Sequence, residues 1–183
     1  MKNVFSFIFC LCLVFTAFGQ QKVGTTAESF NGTTLDGKDF VLEDFRGKVV
    51  VMTFWSTRCP ICHEEIPKLN KLVGKYTGKE VVFMGLTMDN PERITPYLQK
   101  KPFDFTIVPN SLGALLKYAD RDRNGNPNMA FPAYYIISPT GSLEYKGDGW
   151  NKINKIDSEV TRLLPLAGQN KPAENTSAKV DQK

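Results

Sequence analysis

From about position 30 to position 164, short apolar runs alternate with stretches in which apolar residues recur every three or four positions. Val49 to Trp55 is nearly continuous and rich in β-branched side chains, the pattern of a strand buried on both faces. Val81 to Leu86 and Tyr134 to Ile137 repeat it. Cys59 to Tyr76 instead places Ile66, Leu69, Leu72, Val73 and Tyr76 on one helical face, and Ile153 to Leu164 does the same with Ile153, Ile156, Val160, Leu163 and Leu164. A further helix is expected within Asn90 to Lys100, opening at Pro91 or a turn later at Pro96.

A strand, a helix and a second apolar strand make a right-handed crossover unit with parallel pairing. Asp36-Gly37, between Phe30 and Phe40-Val41-Leu42, has the turn chemistry of an N-terminal β-hairpin. Ser138-Pro139-Thr140-Gly141 separates Tyr134 to Ile137 from Leu143 to Tyr145, which predicts a terminal antiparallel hairpin. The sum is an α/β domain over 23–166: a mixed β-sheet with helices on both faces, plus the N-terminal hairpin.

Two appendages flank it. Residues 1–19 join a positive start to the apolar run Val4 to Phe18 and the small-residue stretch Ala17-Phe18-Gly19, which predicts a signal peptide cleaved before Gln20. The alternative is a retained anchor, although the run falls short of the ~20 residues that span a bilayer. The polar stretch 168–183 cannot pack a core and is expected to be disordered. Net charge is +4, part of it from Lys171, Lys179 and Lys183, and no basic stripe carries interleaved aromatics. A nucleic-acid partner is therefore not expected.

Of four cysteines, Cys10 and Cys12 leave with the signal, so Cys59 and Cys62 remain. A bridge across Pro60-Ile61 closes almost no loop and is a poor structural staple, which favours a redox or metal role. The pair lies where a buried strand ends and a helix begins. Unpaired N–H groups and partial positive charge there stabilise a thiolate. Cys59 is the expected nucleophile, and Cys62, one turn on, the shielded resolving thiol.

The run Trp55, Cys59, Cys62, Glu65, Pro67 resembles the W-x-x-x-C-x-x-C-x-x-E-x-P pattern of TlpA/ResA-like exported thioredoxins, and the resemblance extends from about Val23 to Leu164. It implies a thioredoxin-like fold and an exported thiol-disulfide oxidoreductase, periplasmic or otherwise extracytoplasmic. Such a protein reduces protein disulfides with the Cys59-Cys62 pair as its redox group and no other cofactor. Its electrons come from a membrane donor, and its task is cytochrome c maturation or thiol quality control. The chain itself would meet the membrane only if the N-terminal segment is retained. The resemblance also implies a cis-proline at Pro132 and a proton acceptor for Cys62 at Glu65, since the position of the buried acid of thioredoxin is held here by Thr53. Three features depart from the pattern: Arg58 stands where a tryptophan is usual, Phe131 where a small residue is usual, and Asp120 to Asn128 is long. Trp55, Arg58, His63 and Phe131 are the candidate substrate contacts, and Asp120 to Asn128 is expected near the site as a polar specificity loop.

Rival chemistries share these residues. Cys59-Pro60-Ile61-Cys62-His63 spells the attachment motif of a c-type haem, and the same side chains suggest a metal carrier, although no other histidine exists to complete a shell. A peroxiredoxin would want Thr where Ser56 stands. Asp120 to Gly125 matches half a calcium loop but has Phe131 where the bidentate Glu belongs. Sequons at Asn31 and Asn175 decide nothing.

Overall fold

In a computed structural model of the chain, which describes residues 21–168, Asn31–Thr33 (β1) and Asp39–Val41 (β2) form the antiparallel hairpin expected around Asp36-Gly37. Gly37 takes a φ of 83°, which a side chain would strain. The segments expected to be a signal or anchor (1–19) and, beyond Gly168, a tail lie outside the described residues.

The main sheet follows. Val49–Phe54 (β3) is buried at every position, as its uninterrupted apolar run requires. Pro60–Lys75 (α1) leads to Val81–Leu86 (β4), which pairs parallel with β3. Pro91–Lys100 (α2) opens at Pro91, the first of the two expected positions, because Asn90 caps it by accepting from Arg93 N at 3.1 Å. Thr106–Val108 (β5) then pairs parallel with β4, and Leu112–Tyr118 (α3) crosses to the opposite face. Asp120–Arg121 (β6) and Pro127–Asn128 (β7) form a small separate hairpin. Ala133–Ile137 (β8) runs antiparallel to β3, Leu143–Asp148 (β9) antiparallel to β8, and Ile153–Leu163 (α4) closes the domain. The order is β5-β4-β3-β8-β9.

Alternation along β3 divides the core in two. Val50, Met52 and Phe54 face a cluster with Phe30, Phe40, Leu115, Tyr118 and Tyr135, beneath the hairpin and α3. Val49, Val51 and Trp55 face another cluster with Cys62, Ile66, Leu69, Ile94, Tyr134, Ile156 and Val160, beneath α1, α2 and α4. Helices therefore cover both faces.

The N-terminal segment reaches both sheet edges. Gly24 N donates to Leu143 O at 2.8 Å, Leu143 N to Thr25 O at 2.8 Å and Ala27 N to Gly141 O at 2.9 Å, alongside β9. Past the hairpin, Leu35 N donates to Ile107 O of β5 at 2.8 Å. Among the described residues no helix is long and apolar enough to cross a membrane.

Candidate active site

β3 ends at Phe54, and the chain turns through Trp55, Ser56, Thr57 and Arg58 to Cys59, the N-cap of α1, with Pro60 as its first helical residue. Proline is suited to that position because its missing N–H would have no helical partner. Cys59 and Cys62 are joined as a disulfide with Cα atoms 5.2 Å apart. The two sulfurs differ in environment: Cys59 is half-buried, whereas Cys62 is 1% exposed. Cys62 N–H donates to Cys59 Sγ at 3.1 Å, so a helix N-terminal amide already points at the sulfur that would carry the charge when the disulfide opens.

Glu65 lies one turn below Cys62 on the buried stripe of α1, with Ile66, Leu69 and Leu72. It is 0% exposed, because α1 packs this side against the sheet. Its Oε1 accepts from Lys68 Nζ at 2.6 Å, and its Oε2 is buried without a partner. Among the described residues, the buried hydroxyls of Thr53, Tyr97 and Tyr134 also lack partners, and Thr53 and Tyr134 occupy paired positions of β3 and β8 on the face that α1 covers. Burial pushes the Tyr134 phenol up, and the nearby charge of Glu65 pushes it further.

The Phe131-Pro132 peptide bond is cis, as the resemblance implies. Pro132 is buried and precedes Ala133, the partner of Phe54, so it sits at the end of β3 from which the cysteine loop departs. Phe131 is half-buried and packs against both core clusters.

The remaining expected contacts divide. Arg58 is exposed, and its guanidinium has no hydrogen bond or ion pair among the described residues. His63 is half-buried against the Tyr97 ring at 5.1 Å. Lys101 Nζ, 3.4 Å from its Nδ1, can only donate, which assigns the N–H to Nε2, 2.9 Å from Thr57 O. Trp55 must be corrected: it is 0% exposed, edge-on to Phe103 at 5.4 Å and against Tyr97, so it supports the loop from below and offers substrate no surface. In the 120–128 stretch, Asp122 Oδ1 accepts from the backbone of Asn124 and Asn126, and Asp120 pairs with Lys146 of β9. That carboxylate of the supposed half calcium loop serves its own turn.

Asp89 escaped the sequence reading. It lies just past β4, is 8% exposed, and its Oδ2 accepts from Thr57 N at 2.8 Å, Thr57 Oγ1 at 2.9 Å and Ser56 Oγ at 3.1 Å. Burial alone would push its carboxyl up, but the Thr57 and Ser56 donors and Arg93 together outweigh it and hold it below the usual carboxylate range. Asp89 thus pins the loop that presents Cys59. Its position beyond the carboxyl end of a parallel strand, where α/β sheets build their sites, was the available signal.

Residues 23–146 match the AhpC/TSA family. The chain is 32% identical over 152 residues to the thiol-disulfide oxidoreductase ResA of Bacillus thuringiensis subsp. konkukian, covering 82% of this chain and 84% of that one. It is also 32% identical to ResA of Geobacillus kaustophilus over 157 residues, or 83% and 86% of the two chains. Among solved structures, a thioredoxin-family thiol:disulfide interchange protein from Chlorobium tepidum aligns with a TM-score of 0.66 at 21% identity, over 80% of this chain and 99% of that one. A protein from Bacteroides thetaiotaomicron, described as a putative protein disulfide isomerase, aligns with 0.67 at 21%, over 79% and 91%.

Proposed function

The chain belongs to the AhpC/TSA family and is a TlpA/ResA-like thiol-disulfide oxidoreductase, and from that premise we propose that it reduces protein disulfides outside the cytosol. The observation that carries this reading is the asymmetry of the pair: a half-buried Cys59 at a helix N-terminus, facing the Cys62 amide, and a buried Cys62 above a buried carboxylate.

The Cys59 thiolate attacks one sulfur of a substrate disulfide and expels the other as a thiolate, giving a mixed disulfide. Glu65, whose Oε2 is uncommitted, takes the proton of Cys62. The Cys62 thiolate then attacks Cys59 Sγ, releases the second substrate thiol, and leaves the Cys59-Cys62 disulfide. Two electrons from a membrane dithiol donor restore the pair. Phe131 and Cys59 pack against the same core cluster, with Pro132 next in the chain, and the cysteines are the only redox group this cycle requires. Residues 1–19 supply export, and cytochrome c maturation or thiol quality control are the processes such chemistry serves.

Within the same family a peroxidase reading has to be weighed, and Ser56 bears on it. Its hydroxyl donates to Asp89 Oδ2, which turns it toward the loop anchor and away from a role in holding peroxide. The deciding experiment gives the reduced protein either a protein disulfide or hydrogen peroxide. Oxidation of the pair by the protein disulfide at a rate far above that of a small aliphatic disulfide is expected. Turnover of peroxide with inertness to protein disulfides would reverse the conclusion.

A further inference from the structure

A cleft of about 260 Å³ is lined by Ser56, Arg58, Met88, Asp89, Asn90 and Arg93, Arg58 being the residue before Cys59. We propose that it is an anion subsite that receives an acidic side chain flanking the substrate disulfide. The inference deepens the reading above and rests on Cys59 as the attacking thiol.

The charges of the cleft are unequal in what they can still do. The Asp89 carboxylate is satisfied from within: Oδ2 by Ser56 and Thr57, and Oδ1 by Arg93 at 3.5 Å. Among the described residues, Arg93 keeps half its side chain exposed and makes only that long contact, while the Arg58 guanidinium makes none. A guanidinium carries five N–H donors in a planar fork matched to carboxylate. Two such forks thus open onto one cleft whose single acid is already spoken for.

Shape agrees with charge. Met88 is 48% exposed on the same wall and offers an adaptable apolar surface for the methylenes of a glutamate. The volume suits one side chain and is far too small for a folded element. Arg58 directly precedes the nucleophile, and extended chain advances ~3.4 Å per residue, so the side chain received belongs one or two positions from the attacked cysteine. Asn90 commits its side-chain oxygen to capping α2, which leaves its amide N–H groups as further donors for an anion.

The test uses three disulfide-bonded peptides identical except for Glu, Gln or Lys beside the reactive cysteine, with oxidation of the reduced protein followed at low ionic strength. Exposed ion pairs are individually weak, so the Glu peptide should react about fivefold faster than the Gln peptide and the Lys peptide more slowly than both. The spread should shrink in ~0.5 M salt. Arg58→Gln should narrow it and Arg58→Glu invert it, each rate being normalised to the Gln peptide because Arg58 also acts on the Cys59 thiolate. Equal rates for the Glu and Lys peptides, or an acidic preference that survives in the Arg58→Gln/Arg93→Gln double variant, would overturn the subsite. Failure of all three peptides alike would instead remove the assignment of Cys59 on which it rests.

Discussion

Glu65 and Lys68 form an ion pair across one turn of α1 in which the carboxylate is fully buried and the lysine side chain is 46% exposed. The contact ties Oε1 to the surface and leaves Oε2 inside, on the stripe that begins at Cys62. A glutamate that served only the helix would not need burial, and burying a carboxylate with one oxygen unpartnered is expensive.

Glu65→Gln is therefore expected to slow the resolving step on the order of 10²-fold, the lower range for a positioned acid-base group, and to flatten its pH dependence. Gln keeps the volume and a good helix propensity, so the fold survives. Stopped-flow measurement of mixed-disulfide decay across pH checks it. An unchanged profile would return Glu65 to a structural role.

Replacement of the cysteines should be asymmetric. Cys59→Ala is expected to reduce exchange to background, whereas Cys62→Ala should accumulate mixed disulfides on Cys59, since only resolution is lost. Non-reducing electrophoresis with mass mapping distinguishes the two. Substrate trapped on the buried Cys62 of the Cys59→Ala variant would contradict the geometry.

Asp89→Asn is expected to destabilise the protein by about 1–3 kcal/mol, through lost charge-assisted hydrogen bonds to Ser56 and Thr57, and to slow exchange by loosening the loop. The folded-state carboxyl lies below its ordinary 3.8. Its stabilisation is thus complete above that value and is lost as pH falls through the lower folded-state pKa. Denaturation midpoints at several pH values should show the wild type losing this increment on acidification, and Asp89→Asn lacking it throughout.

The pair should be reducing, with a potential nearer the about −270 mV of thioredoxin than the about −120 mV of a strong oxidant. Pro60 and Ile61 bring no charge or polar side chain between the cysteines, and the Glu65 carboxylate beneath them opposes a second thiolate. Arg58 acts in the other direction. Equilibration with glutathione buffers measures the balance, and a value above about −150 mV would mark an oxidase.

Much of this was legible in sequence where periodicity was long. Runs such as Val49 to Trp55 and Cys59 to Tyr76 announce strand and helix because burial on two faces, or on one stripe, repeats over several residues. β5 has three residues and α3 seven, too few to show a period, and both were missed. The cysteine pair carried its own signal, and Pro132 and Glu65 came from the resemblance. Burial did not follow from residue type. Trp55, expected as a substrate contact, is enclosed by Phe103 and Tyr97, and the full burial of Glu65 comes from the packing of α1 on the sheet. Asp89 was overlooked because its loop partners Ser56 and Thr57 lie more than thirty positions away, a relation only the parallel pairing of β3 with β4 creates.

The N-terminal segment that runs along β9 and then reaches β5 has a consequence for association. An exposed strand edge is a template onto which another polypeptide can add itself, including a second copy of the same chain. Here both backbone groups of Leu143 and the carbonyl of Ile107 are already bonded by residues 24–35. A thiol-disulfide oxidoreductase that acts on other proteins would otherwise offer them such an edge. With these groups occupied, the two edges are closed to a further strand at Leu143 and Ile107.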